Sequence, residues 1–349
     1  MTLSGFLLLA VPLLLGQGCG KKAPLDGGVF ISTDQGESWK QSVLVRRDEE
    51  RTVTIADVSI MRLTFDPTKP GTLYAGTRGA GLYRSSDRGA TWQQIGPASD
   101  ATVPAYSVSP TVPDTMFSII SPSAYRSWDG GATWERMYID ARGQTLTDVI
   151  IDPLAAGQVY LTTNKGEILR SQDGGETWNV HARLAVGITS LHINPVDSRV
   201  QYAVSARQIF KTTDAWQTWE DLQSTSLLEY KRYPVLDFFF LPRRPNVLVM
   251  SISLGILRSA DSGATWTLIP TLFPANTFAS TVIGVNDRDL DDVYYVVNKR
   301  VIHHSVDGGV NWKTLQSFPG ARTITDLLID HENPSQLYAA TLQVDTKKK

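Results

Sequence analysis

One octet recurs seven times along the chain and constrains the fold more than any other feature. It begins with Ser or Thr, carries Asp two residues on, usually has Gly two further, and closes on Trp. The copies are STDQGESW from Ser32, SSDRGATW from Ser85, SWDGGATW from Ser127, SQDGGETW from Ser171, TTDAWQTW from Thr212, SADSGATW from Ser259 and SVDGGVNW from Ser305. Their first residues lie 41 to 53 positions apart, a period that signals propellers or solenoids.

Between octets runs a second element: an apolar stretch ending in Asp-Pro or a variant, a polar turn, and another apolar stretch. LTFDPTKPGTLYAGT from Leu63, VIIDPLAAGQVYLTT from Val149 and LHINPVDSRVQYAVS from Leu191 are full copies. A short third strand such as GLYR (81–84) or EILR (167–170) leads into the octet, and a fourth opens at its Trp. Four short strands per unit, punctuated by Pro, Gly, Asn and Asp, predict antiparallel blades. Before the first octet lies only GGVFIS, a third strand without a first or second; after the seventh come a first and second strand without a third. The two halves complement each other, which predicts an all-β, seven-bladed propeller over 27–342 whose last blade is stitched from both ends, leaving no open sheet edge.

The chain has 349 residues, 42% hydrophobic, enough for a large core, and the repeat argues for one domain although length alone would permit two. Helical periodicity is not sustained beyond the N-terminal segment. The net charge of −2 and the absence of recognition motifs give no case for nucleic acid. At the N-terminus, Phe6 to Leu15 (FLLLAVPLLL) is short for a membrane span and is followed by small residues and the sole cysteine, Cys19. This resembles a bacterial lipoprotein signal: residues 1–18 removed, a lipid on Cys19, a tether over 19–26, and a basic tail at 343–349. The alternative is an ordinary secretory signal, since MTLSG carries no Lys or Arg and Gly16 stands where Leu is usual. Both readings expect export, with placement at the outer membrane or periplasm in a diderm cell. With one cysteine there is no internal disulfide.

The octets resemble the Asp-box, or BNR, repeat of sialidases, two-domain xyloglucanases, sortilin-type receptors and the photosystem II assembly factor family. In these relatives the box is the turn between third and fourth strands, away from the ligand-binding face. The residues give the reason: Asp accepts backbone N–H bonds across the turn, Gly supplies positive φ and Trp buries a ring between blades. Asp34, Asp87, Asp129, Asp173, Asp214, Asp261 and Asp307 are therefore read as structural, and Trp216, in the Gly position of the fifth box, predicts the most distorted turn.

If each first strand descends, boxes and Asp-Pro turns share the lower face. The upper second-to-third turns then carry Arg78, Lys165, Arg207, Lys299 and Arg300, and the fourth-to-first loops add Arg46, Arg47, Arg142, Arg183, Lys231, Arg232 and Arg322. Two readings stand: a disc that is basic above and acidic below, or ordinary solvated loop charge. Lys21, Lys22 and Lys347 to Lys349 would lie on the basic side, suiting a membrane held by the lipid anchor or a protein partner with an acidic surface. Four residues before each Asp-Pro position, Arg62, Ala105, Asp148, Ser190, Asp237, Val282 and Asp326 should line the channel mouth. Asp148, Asp237 and Asp326 could supply the acid and base of glycoside cleavage or be satisfied by neighbouring amides.

The five histidines show no zinc spacing, and the paired His303 and His304 point to opposite faces of a strand. No P-loop, nucleophile elbow, dinucleotide fingerprint or cofactor box is present. The sialidase Arg-Ile-Pro motif is absent, and sialidases have six blades. In layout the resemblance is strongest to the photosystem II assembly factor family, which implies a non-catalytic docking or assembly platform at a membrane, without cofactor. An exported glycan-active enzyme or lectin is the alternative.

Overall fold

The computed structural model describes residues 26–47, 52–155, 157–273, 282–315 and 318–344, with Arg46 and Arg47 described by backbone only. Cys19, Lys21, Lys22 and Lys347 to Lys349 lie outside the described residues.

Seven four-stranded antiparallel sheets form the chain. The first blade comprises Ser59–Phe65, Leu73–Arg78, Leu82–Ser85 and Gln93–Gln94, from axis to rim, and the same plan repeats through the sixth, Ile283–Val285 to Lys313–Leu315. In the seventh, Thr323–Ile329 and Leu337–Leu342 are completed by Gly28–Ser32 and Lys40–Ser42. Val29 lies opposite Ala340 and Ile31 opposite Tyr338, so the ring closes as the half-blades predict. A small hairpin, Leu44–Arg47 with Thr52–Thr54, is added after the closing blade. Two 3-10 turns, Leu222–Ser224 and Leu228–Tyr230, are the helical elements among the described residues.

The core lies between blades. Val29, Tyr338 and Ala340 of the closing blade pack with Leu63, Leu73, Ala75 and Trp92 of the first. Second strands are sandwiched on both sides: Val159–Thr163, Val293–Val297 and Leu337–Leu342 are buried at every position. That is why they read as unbroken apolar runs rather than alternating ones. Outer strands are exposed and short, down to Gln93–Gln94, which limits pairing with other chains.

Every box makes the same turn. In the fourth, Ser171 Oγ donates to Asp173 Oδ1 at 2.7 Å and accepts from Gly175 N at 2.7 Å; Asp173 Oδ1 accepts from Thr177 N at 2.9 Å and Oδ2 from Thr177 Oγ1 at 2.6 Å. The bond from the Thr hydroxyl is the first cause that draws the Asp129, Asp173 and Asp261 carboxyls down to about 2. The fourth and fifth box positions both have positive φ, 68° and 92° at Gly308 and Gly309.

The fifth box departs from expectation. Ala215 and Trp216 take φ of 54° and 71°, and the bonds from Trp216 N to Thr212 Oγ1 and from Thr218 to Asp214 are retained at 2.6 to 2.9 Å. The turn is not distorted, because Trp216 is anchored: it is 3% exposed and donates Nε1–H to Gln201 Oε1 at 2.6 Å. The closing Trp219 of that box is instead 43% exposed. Box Trp rings are in general half-buried, with Trp92 alone among them fully covered; the inter-blade core depends more on second-strand residues than the motif implies.

Trp216→Gly restores the common box residue and removes φ strain, yet it deletes a buried indole. The cavity term dominates, and we expect a loss of about 3 kcal/mol, read from urea unfolding; a more stable variant would overturn this account. Carboxyls drawn below their unfolded value contribute stability that is full above about pH 4 and is lost as pH falls through about 2. Circular dichroism should therefore show acid unfolding concentrated in that interval.

Candidate functional site

Each first strand presents a bare edge to the axis, with N–H groups lacking a further strand. The predicted channel-mouth aspartates cover part of this edge. Asp148 Oδ2 accepts from Leu191 N of the next blade at 3.0 Å, and Asp326 Oδ2 from Leu63 N at 2.9 Å. Asp237 accepts from Ile283 N in the same way. All three sit just after a register shift in their first strand, where the bulge turns the side chain toward the neighbouring blade. One carboxylate thus links two blades at the axis, satisfying a neighbouring amide.

The three are not equivalent. Asp148 is 3% exposed and accepts Arg62 Nη1 at 3.2 Å, while burial raises its pKa against the pull of Arg62. Arg62 also lies over the Tyr106 ring, 6.0 Å from its centroid. Asp237 is pushed up to about 7, first by burial and then by the charge of Asp326. Asp326 is pushed up to about 6 by burial. His192, bonded to Ser190 Oγ at 2.9 Å, is pushed down to about 3 by burial and by Arg62, so its ring is neutral near pH 7.

An axial cavity of about 450 Å³, within the range of small-molecule sites, has a wall that includes Arg62, Ser190, His192, Asp237, Val282 and Asp326. Asp148 and Ala105, predicted at the same level, are not in that wall, so the sequence-based trio reduces to two carboxyls. Asp237, at about 7, has the proton affinity of a general acid. His303 stacks on Tyr295 and His304 on Tyr294, on opposite faces of the strand as expected. Among the described residues no group of three or more His, Cys, Asp or Glu is placed to hold a metal.

The two faces of the disc differ in how their charges are matched. On the box face Arg88 pairs with Asp330 and Glu332 at 3.0 Å, Arg126 with Glu176 at 2.9 Å, and Lys313 with Glu37. The box face is therefore a lattice of mixed charge rather than an acidic surface. On the opposite face Arg78, Lys165, Arg207, Lys299 and Arg300 are all exposed, and no salt bridge or side-chain bond joins them to another described residue. Arg322 does not join this set: its side chain is 11% exposed and bonds Asp57 O at 2.9 Å and Asp26 at 3.4 Å, bracing the closing blade. Arg142 and Arg183 are occupied by Glu167.

Sequence reasoning missed one structural set. The residue just before five boxes is cationic: Arg84, Arg126, Arg170, Lys211 and Arg258. Arg84 and Arg126 donate to the carbonyls of Gly130 and Gly174 in the next box at 3.0 and 2.6 Å, and Arg258 to Leu290 O at 2.6 Å. The periodicity of that position was the available signal.

Fold and repeat define this chain as a seven-bladed Asp-box propeller. The BNR/Asp-box repeat model matches residues 30–41, and the model described as Sortilin, neurotensin receptor 3 matches 122–226. A probable oligoxyloglucan-reducing end-specific xyloglucanase of Neosartorya fischeri is 36% identical over 271 residues, covering 72% of this chain and 26% of that protein. Xyloglucanase Xgh74A of Acetivibrio thermocellus is 25% identical over 266 residues, covering 70% and 29%. The chain thus spans between a quarter and a third of these relatives. Among solved structures, the GH74 xyloglucanase of Xanthomonas campestris superposes with a TM-score of 0.65 at 16% identity over 82% of this chain and 51% of that one. YCF48 bound to D1 peptide superposes with a TM-score of 0.61 at 19% identity over 84% and 94%. Both likenesses establish the fold.

Asp237 binds its proton more tightly folded than unfolded, so ionisation favours the unfolded chain as pH rises from about 4 through about 7. Asp237→Asn keeps an acceptor for Ile283 N and removes that cost. The variant should melt higher than wild type by a few degrees at pH 8 and by much less at pH 4; equal shifts at both would refute the assignment.

Proposed function

We propose that this protein is a non-catalytic docking scaffold that binds an acidic protein segment on the face opposite its boxes. The observation that carries this reading is the set of unmatched cations Arg78, Lys165, Arg207, Lys299 and Arg300 on turns of one face, against a box face whose charges are paired. Exposed cations without partners give a long-range attraction that acidic segments meet at low desolvation cost. A propeller of the same fold is known with a bound peptide, D1 on YCF48, which favours a protein partner. Export and anchoring through Cys19 complete the proposal: the scaffold works at a membrane surface, in the cell envelope.

The second reading is glycan binding or cleavage. It is favoured by the xyloglucanase relatives and by the elevated pKa of Asp237. Against it, the carboxyls of the channel each hold a neighbouring blade's amide.

Docking is tested with synthetic acidic peptides. Affinity should fall at least tenfold in the combined Arg78→Glu, Lys165→Glu and Arg207→Glu variant and should weaken steeply with salt. Unchanged affinity in that variant, or turnover of xyloglucan oligosaccharides abolished by Asp237→Asn, would replace the scaffold with the glycan reading. Cys19→Ala should release the protein from the membrane fraction.

A further inference from the structure

The axial cavity has a chemistry that docking on the outer face does not use. Its wall contains two carboxyls, Asp237 and Asp326, without a salt-bridge partner among the described residues, and apolar side chains including Phe65, Val282 and Leu327. Of the basic groups in that wall, Arg62 is already held by Asp148 at 3.2 Å and by the Tyr106 ring, and His331 lies against Asp287 at 3.1 Å. His192 contributes no charge near neutral pH, being bonded to Ser190 and buried. The exposed cations of the opposite face stand at the turns between second and third strands and are not part of the wall. Once both carboxyls ionise, they outnumber the cation beside them, Arg62, whose charge is shared with Asp148, and no other described residue forms a salt bridge with either.

We infer that the axial cavity is a receptor for a primary ammonium group on an aliphatic stem, its nitrogen between Asp237 and Asp326 and its methylenes against the apolar wall. Several features select this chemistry. An ammonium supplies three donors to two carboxyls that each accept two backbone N–H bonds, Asp237 from Phe238 and Ile283 and Asp326 from Leu63 and Leu327, and retain acceptor capacity beyond them. An anion would meet two like charges in a poorly solvated space. A divalent cation would lack ligands, since among the described residues no group of three His, Cys, Asp or Glu is placed to hold one. The cavity, at about 450 Å³, admits a four-carbon stem with room for water at the head group. A free alkylamine and the lysine side chain of a docked segment offer the same head and stem, and both reach the site along the axis.

The experiment uses the full chain and n-butylammonium chloride, with n-butanol as the neutral probe of equal stem. Titration calorimetry at pH 8 should detect n-butylammonium binding, with n-butanol at least tenfold weaker. Asp237→Asn with Asp326→Asn should lower butylammonium affinity at least tenfold, whereas the combined Arg78→Glu, Lys165→Glu and Arg207→Glu variant should not lower it. Circular dichroism and melting of the Asn variants verify that they fold, which the raised stability expected for Asp237→Asn makes a fair control. A second arm compares an acidic peptide bearing one central lysine with its norleucine counterpart: preference for lysine, lost in the double Asn variant, assigns the site to a side chain of the partner. Equal peptide affinities with retained butylammonium binding assign it to a free amine. Equal binding of butanol and butylammonium, or no loss in the double Asn variant, overturns the proposal, and neither result bears on whether acidic peptides dock outside.

Discussion

Pairing of Gly28–Ser32 with Leu337–Leu342 is the contact on which the geometry depends. It converts an array with two open sheet ends into a ring, and a ring has an axis and two distinguishable faces. Without it the inter-blade cluster joining Tyr338 and Ala340 to Leu63 and Trp92 would be open to water. Each large apolar side chain exposed there would forfeit roughly 1.5–3 kcal/mol, so closure and burial reinforce each other across more than three hundred residues of sequence separation.

Because the ring closes, every turn of a given kind falls on one side, and the protein uses the sides differently. The box face is consumed in holding blades together: the Ser–Asp turns satisfy their own backbone, and Arg84, Arg126 and Arg258 reach the next blade's carbonyls. A cation bonded to a carbonyl and flanked by carboxylates has little field left to attract a partner. The opposite face spends its backbone bonds on short turns and leaves its long cations in solvent. That division explains how a chain of net charge −2 carries exposed, unmatched cations on the turns of one face, which bulk composition averages away.

The octet made the fold legible because its spacing encodes a local turn, and local turns repeat faithfully in sequence. Blade number, strand order and closure all follow from where the boxes stand. What the octet could not reveal was which tryptophans are buried. Trp216 and Trp219 exchange the expected roles because burial depends on Gln201 in another strand, a partner that no local pattern names. The position of the channel carboxylates was likewise readable from alignment on the Asp-Pro turns, whereas their separate environments were not. Asp148 leaves the cavity wall because Arg62, from a different blade 86 positions away in sequence, claims it. Arg322 has the look of a free loop cation in sequence, and only the neighbouring Asp26 and Asp57 make it a brace.

The axis therefore presents a physical tension rather than a passive hole. A propeller needs its inner N–H groups satisfied, and Ser107, whose hydroxyl accepts from Ile151 N at 3.0 Å, shows that an uncharged group can serve. At two positions of the cavity wall the chain instead carries carboxyls whose ionisation is opposed by burial, and at Asp237 also by the charge of Asp326. An asparagine would satisfy the same amide without that opposition. Residues that cost stability where a neutral substitute fits are the ones for which a role beyond folding should be sought. Asp148 differs from both in that its charge is paired with Arg62 and its other oxygen accepts from Leu191 N, although burial raises its pKa as well.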